Sequence, residues 1–181
     1  MIYGYKVTNG TINYLGASDE QERLVKALTV AGVDIDGVQF TDVEPVDVNG
    51  KYYLSAESVE YKEAEFAANK ERKIADFKAR RDAEEVETIS YGGNSFDYDD
   101  KARERLAIAR QALEDTGAES ILWTTADNQR VDLTVGGFIG INAAAAMRSN
   151  ALHVKYNILK ERVQAAQTQD ELDAVTWDNE V

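Results

Sequence analysis

"SYGGNSFDYDDKARERLAIARQALEDTG", residues 90–117, is the stretch on which the fold class turns. Gly92-Gly93-Asn94 supplies the positive φ angles of a tight reversal between two short strands, "VETISYGG" and "NSFDYD". Behind them Ala102, Leu106, Ala109 and Leu113 recur at helical spacing, and Gly117 stands where a helix from Asp100 to Thr116 would close. A hairpin that runs directly into an amphipathic helix predicts an α+β chain. The acidic run Asp97, Asp99, Asp100 has two readings. Carboxylates suit a hard cation, but the regular ligand series, central glycine and terminal glutamate of a calcium loop do not follow. Asp99 or Asp100 as the helix N-cap, its carboxylate at the positive end of the dipole, accounts for the run more simply. No metal ligand is therefore assigned.

Upstream, Ser55 to Val86 is rich in Ala, Glu, Lys and Arg without Gly or Pro, and opposite charges recur at helical spacing, which predicts one long helix. Its sparse apolar positions, Val59, Phe66, Ile74 and Phe77, form a narrow stripe. A solvated connector is the first reading, and self-association or partner contact through those four residues the second. The N-terminus alternates apolar and polar residues around Asn9-Gly10, the pattern of a hairpin and not of a secretory signal. Ser18 with Gln21 fits a capping box opening a helix through "DEQERLVKALTVAG". "DGVQFTDV" and "VDVNGKYYLS" then predict a second hairpin connected through Pro45, with Asn49-Gly50 able to turn or bulge.

Downstream, "SILWTT" and "RVDLT" flank the turn "ADNQ", and Thr134 can cap a helix from about Val135 to Gln167. The buried face of that helix includes Leu152, Tyr156, Leu159, Val163 and Ala166. Thr168 and Glu171 form another capping box for a short helix through Val175, ahead of the tail "TWDNEV". The expected organisation is a ββαββ domain over residues 1–54, a connecting helix over 55–86, and a C-terminal α+β domain over 87–181 of short β-pairs packed on two main helices.

Composition narrows the function. Thirty-three acidic against 20 basic residues give a formal charge of -13, which repels a phosphate backbone, so nucleic acid is not an expected partner. There are no cysteines, hence no thiolate nucleophile or disulfide framework. The small-apolar stretch "GGFIGINAAAAM" is shorter than the roughly 20 apolar residues a membrane span needs, so no membrane partner is expected. "VGGFIG" lacks the spacing and lysine of a phosphate loop. His153, the one histidine, has no carboxylate or nucleophile partner of catalytic type one turn away and is expected half-buried at the edge of a helix interface. Trp123 reads as core or interface. No catalytic residue and no cofactor is assigned.

From Arg80 to Thr134 the chain resembles a domain of unknown function found in tail and tail-fibre-assembly proteins of tailed bacteriophages. The pattern is Arg81-Asp82, a strand, Phe96-Asp97 followed by acidic Asp99, a helix with Arg105, the Trp123 strand and the turn Ala126-Asp127-Asn128. Tyr98 stands where that family has a small residue. "LHVKYNILKERVQAAQTQDELDAV" is similar to the terminal helices of its longer members, and "GKYYLSAE" to the connector of other phage tail accessory proteins. The resemblance covers residues 80–176. It implies protein–protein binding without enzymatic chemistry: a chaperone or accessory protein for tail-fibre assembly, working in the host cytoplasm and partnered by a tail-fibre or baseplate protein. A permanent baseplate or fibre-adaptor subunit in the virion tail is the alternative, a homo-oligomer a further candidate, and a metal-dependent hydrolase built on the acidic run the distant one.

Overall fold

The computed structural model describes residues 1–9 and 11–178. The protein is α+β, and the chain forms two compact units that divide after Arg72. That division falls inside a single long helix.

The first unit holds β1 (Ile2–Thr8), β2 (Thr11–Ser18), α1 (Gln21–Val30), β3 (Gln39–Thr41), β4 (Val46–Val48) and β5 (Lys51–Tyr53). Its strands form one antiparallel sheet in the order β3-β1-β2-β5-β4. The β1–β2 hairpin forms with Asn9 at φ 51°; Gly10, the other residue of the expected turn, lies outside the described residues. Leu15 is an extra residue in β2, where the register passes from Gly4↔Gly16 to Tyr5↔Tyr14. Gly4 lets α1 approach closely: a Cβ there would sit 3.2 Å from Leu24, which with Leu28 is buried on the sheet.

Two expectations for this unit are corrected. The strands on either side of Pro45 do not pair with each other. β3 joins the free edge of β1, and β4 pairs with β5 across Asn49-Gly50, whose φ values of 51° and 81° make it the tighter turn. The arrangement is thus ββαβββ. Only residues 42–45 link β3 to β4 at opposite edges of the sheet. Five Cα steps reach about 18 Å, while four flat strand spacings need about 19 Å, so the sheet must curl. The Ser18–Gln21 box also fails to form. Ser18 is the last residue of β2, paired with Ile2, and its hydroxyl donates to Asp19, so α1 starts behind Glu20 and, among the described residues, no side chain caps it.

The long helix α2 (Val59–Glu85) opens four residues later than expected, because residues 55–58 turn on their own serines. Ser55 Oγ accepts from Glu57 N, and Ser58 Oγ accepts from Tyr61 N. The second unit contains the end of α2, then β6 (Ile89–Tyr91), β7 (Asn94–Phe96), α3 (Asp100–Thr116), β8 (Ile121–Thr124), β9 (Arg130–Leu133), α4 (Val135–Ala165) and α5 (Gln169–Ala174). Each of its β-pairs is a two-stranded antiparallel sheet. Gly92 and Gly93, at φ 58° and 80°, make the β6–β7 turn as expected. α3 ends on Gly117 in the left-handed conformation, and Thr134 Oγ1 accepts from Gly137 N to start α4. At α5, Thr168 Oγ1 accepts from Glu171 N, while the Glu171 carboxylate reaches Gln167 N, one residue earlier than in a standard box.

The expected α3 face, Ala102, Leu106, Ala109 and Leu113, is buried throughout. Leu106, Ala109 and Leu113 share one core cluster with Phe138, Ile141 and Ala145 of α4 and with Ile89, Phe96 and Leu133 from the β-pairs. Each large apolar side chain buried here contributes about 1.5–3 kcal/mol relative to exposure. No described helix is long and apolar enough to cross a membrane.

Candidate functional site

The acidic run resolves by position. Asp99 Oδ1 accepts from Ala102 N at 2.7 Å, the N-cap of α3, and Asp100 pairs with Arg103. Asp97 is exposed at the end of β7. Among the described residues, no three histidines, aspartates or glutamates gather into a group that could hold a metal ion.

The four α2 residues expected to meet a partner separate into different environments. Val59 is 67% exposed, while Phe66 and Ile74 are half-buried, Phe66 with Lys70 Nζ 4.7 Å from its ring centre. Phe77 is withdrawn from any outward stripe: it is 5% exposed and packs on Trp177 at 5.8 Å between ring centres. Trp177 is held there by Nε1 donating to Glu84 at 2.6 Å, and Lys73 donates to the Leu172 carbonyl from the same side of the helix. The α2 stripe is therefore partly consumed by the chain's own C-terminal segment.

The remaining pattern residues serve packing. Phe96 is 1% exposed in the core, and Trp123 lies edge-on to Phe138 at 5.5 Å with the Arg105 guanidinium 5.3 Å from its ring. Asp127 Oδ1 accepts from Thr125 Oγ1 at 2.5 Å, and Asn128 takes φ 63° in the turn. Arg81 is bonded to Asp82 and stacks on Tyr156 at 4.9 Å.

One polar cluster was missed in the sequence. A cleft of about 200 Å³ is lined by Glu85, Tyr98, Arg103, Asn142 and Ser149. Ser149 Oγ donates to Glu85 Oε1 at 2.5 Å, and His153 Nδ1 lies 3.3 Å from the same oxygen and 2.9 Å from the Ser149 carbonyl oxygen. Beside them Arg148 donates to the Glu85 and Thr88 carbonyls at 2.6 and 2.9 Å. In this arrangement the Ser149 hydroxyl is held on the Glu85 carboxylate, and the imidazole Nδ1 of His153 faces a carbonyl oxygen. The arrangement closes the C-terminus of α2 with a cation and ties it to α4. His153 itself is more exposed than expected, 48% at the side chain, because its ring flanks the interface and does not enter it.

A surface suited to a protein partner lies on the first unit. Cross-strand partners share a side of the sheet, so the pairs Tyr5↔Tyr14 and Ile12↔Tyr52 place Tyr3, Tyr14, Ile12 and Tyr52 on the face opposite Gly4 and α1. Their rings form a row, Tyr3 to Tyr14 at 6.5 Å and Tyr14 to Tyr52 at 5.3 Å. Ile12 and Tyr52 continue into a groove of about 320 Å³ with Tyr53, Leu54, Ser55 and Ser58. At one end of the row, burial and the neighbouring Glu44 carboxylate push the Tyr3 phenol above its usual range. Half-buried tyrosines, each offering a rigid apolar ring and a polar tip, are the residue type enriched where proteins meet.

Compared with known families, residues 68–176 match the model of a domain of unknown function, DUF4376. The chain belongs to this family. The DUF4376 region begins on α2 and takes in β6 to α5, leaving the five-stranded sheet and its tyrosine row outside the match. No curated protein and no solved structure matches the chain.

Proposed function

We propose that this protein is a non-enzymatic assembly factor of tailed bacteriophages, a chaperone or accessory protein that binds a tail-fibre protein in the host cytoplasm during assembly. The observation that carries a binding role is the tyrosine row Tyr3–Tyr14–Tyr52 running into the Ile12–Tyr53 groove. The phage context is supported by the resemblance through Phe96-Asp97, Arg105, Trp123 and Ala126-Asp127-Asn128. DUF4376 membership carries no function of its own. The division of labour that follows places the partner contact on the first unit and leaves the DUF4376 region as a packed support.

Quantitative mass spectrometry of purified particles against infected-cell lysate tests the reading. Abundance in lysate with absence from particles supports the chaperone. A fixed ratio to a fibre or baseplate protein in particles supports the alternative, a permanent adaptor subunit. Co-expression with the fibre protein supplies the site test: Tyr14→Ser with Tyr52→Ser is expected to abolish co-purification while leaving the fold intact. Unchanged co-purification would remove the tyrosine row from the proposal.

A further inference from the structure

α4 is apolar on two opposite sides. Phe138, Ile141, Ala145, Leu152, Leu159 and Val163 are buried on one. On the other, Ile139, Ala143, Met147 and Val154, with the polar Asn150 between the last two, follow one another by four, four, three and four residues, a continuous stripe along a helix. All five are exposed, Met147 at 74%, Ile139 at 50% and Val154 at 49%. The buried face already packs within the chain, so the second, exposed apolar stripe is left for a further contact. We propose that this stripe is a self-association surface, on which a second copy of the chain packs antiparallel, α4 against α4, about a two-fold axis at Met147.

Charge selects the occupant. No acidic residue occurs from Leu133 to Lys160, the longest such run in a chain of formal charge -13. Two identical acidic chains repel wherever carboxylates face each other, and along this stripe none do. The nearby cations are engaged within the chain and do not await an acidic partner. Arg148 is bonded to the carbonyls of Glu85 and Thr88, His153 lies on Glu85, and Lys155 lies over the Trp177 ring.

The spacing is also nearly palindromic, as a two-fold interface requires. Ile139 and Val154 stand eight and seven residues from Met147, and Ala143 and Ala151 four on either side. An antiparallel copy would set Ile139 against Val154 and Ala143 against Ala151, with the alanines permitting interaxial approach of about 8 Å. A stripe about 22 Å long buries less than the roughly 800 Å² per partner of a standard interface, so the dimer belongs to the weak, reversible class.

Sedimentation velocity on the full chain, from about 1 to about 500 µM, tests this. The unmodified protein is expected to pass from monomer to dimer across that range. Met147→Glu and Met147→Lys, at a position exposed enough that circular dichroism is expected to show the fold unchanged, are each expected to weaken the dimer about tenfold or more. Mixing the two variants is expected to restore it, because residue 147 then meets its opposite charge across the axis. Val59→Glu on α2 should leave the dimer unchanged. A monomer at every concentration, a dimer indifferent to Met147→Glu, failure of the mixture to recover, or a dimer lost in Val59→Glu would each overturn the proposal.

Discussion

Replacing Gly140 by alanine pits helix propensity against a tertiary contact whose size can be worked from the structure. A methyl group at this position would fall on Cε2, Cζ and Oη of Tyr91, whose ring lies directly on α4. In an exposed helix interior Gly→Ala stabilises by about 1 kcal/mol. Here the ring must leave instead. Tyr91 is 38% exposed and ends β6 beside the Gly92-Gly93 turn, so it can swing into solvent without moving the backbone. A tyrosine buries about 150–250 Å² when enclosed. Losing about 100 Å² of that contact at about 25 cal/mol per Å² costs about 2.5 kcal/mol. Gly140→Ala alone should therefore destabilise by about 1.5 kcal/mol. In a Tyr91→Ala background the obstacle is gone, and the same substitution should stabilise by about 1 kcal/mol. The assay is guanidinium unfolding of the four proteins at low concentration, followed by tryptophan fluorescence. Both tryptophans, Trp123 and Trp177, lie in the second unit and report on it. Equal stabilisation by Gly140→Ala in both backgrounds, a coupling below about 0.5 kcal/mol, would refute the contact.

Asp99→Ala removes the α3 cap and should cost about 1 kcal/mol, whereas Asp97→Ala, at an exposed position, should change urea stability by less than about 0.5 kcal/mol. Trp177→Ala empties the space over Phe77 and should destabilise by about 3–5 kcal/mol; thermal unfolding reads it, and a loss below about 1 kcal/mol would mean that the C-terminal segment does not hold α2. The Asp36 backbone N–H, and then Lys6, hold the Asp34 carboxyl below its usual 3.8. Its stabilisation is thus fully present above the unfolded pKa and is lost as pH falls through the lower folded value. Lys6→Met should flatten part of that acid limb in a pH series of melting temperatures, and an unchanged limb would show that the Lys6–Asp34 pair at 3.1 Å contributes nothing to it.

The residues legible beforehand were those whose structure is settled within a few positions along the chain. Gly92-Gly93 can adopt positive φ wherever it stands, Asp99 reaches an N–H three residues on, and Thr134 and Thr168 do the same. The α3 face was legible for a related reason: a 3.6-residue period leaves only one side that can be buried. What failed depended on competition between distant groups. β3 could have paired with β4, but Asn49-Gly50 gave β4 a nearer partner and the open edge of β1 took β3. Phe77 looks outward by spacing alone, and only the arrival of Trp177 a hundred residues later buries it. Glu85, Ser149 and His153 are unremarkable in sequence, and they meet only because Arg148 closes α2 against α4. The tyrosine row likewise needed the register of three strands, since tyrosines at 3, 14 and 52 share a face only once Tyr5 is opposite Tyr14 and Ile12 opposite Tyr52. Composition and local pattern determined the α+β class, the caps and the turns, because their energies are made within one turn or one hairpin. Strand order, the fate of the α2 stripe and the candidate binding face were decided in three dimensions, because each depends on which of several adequate partners buries the most surface.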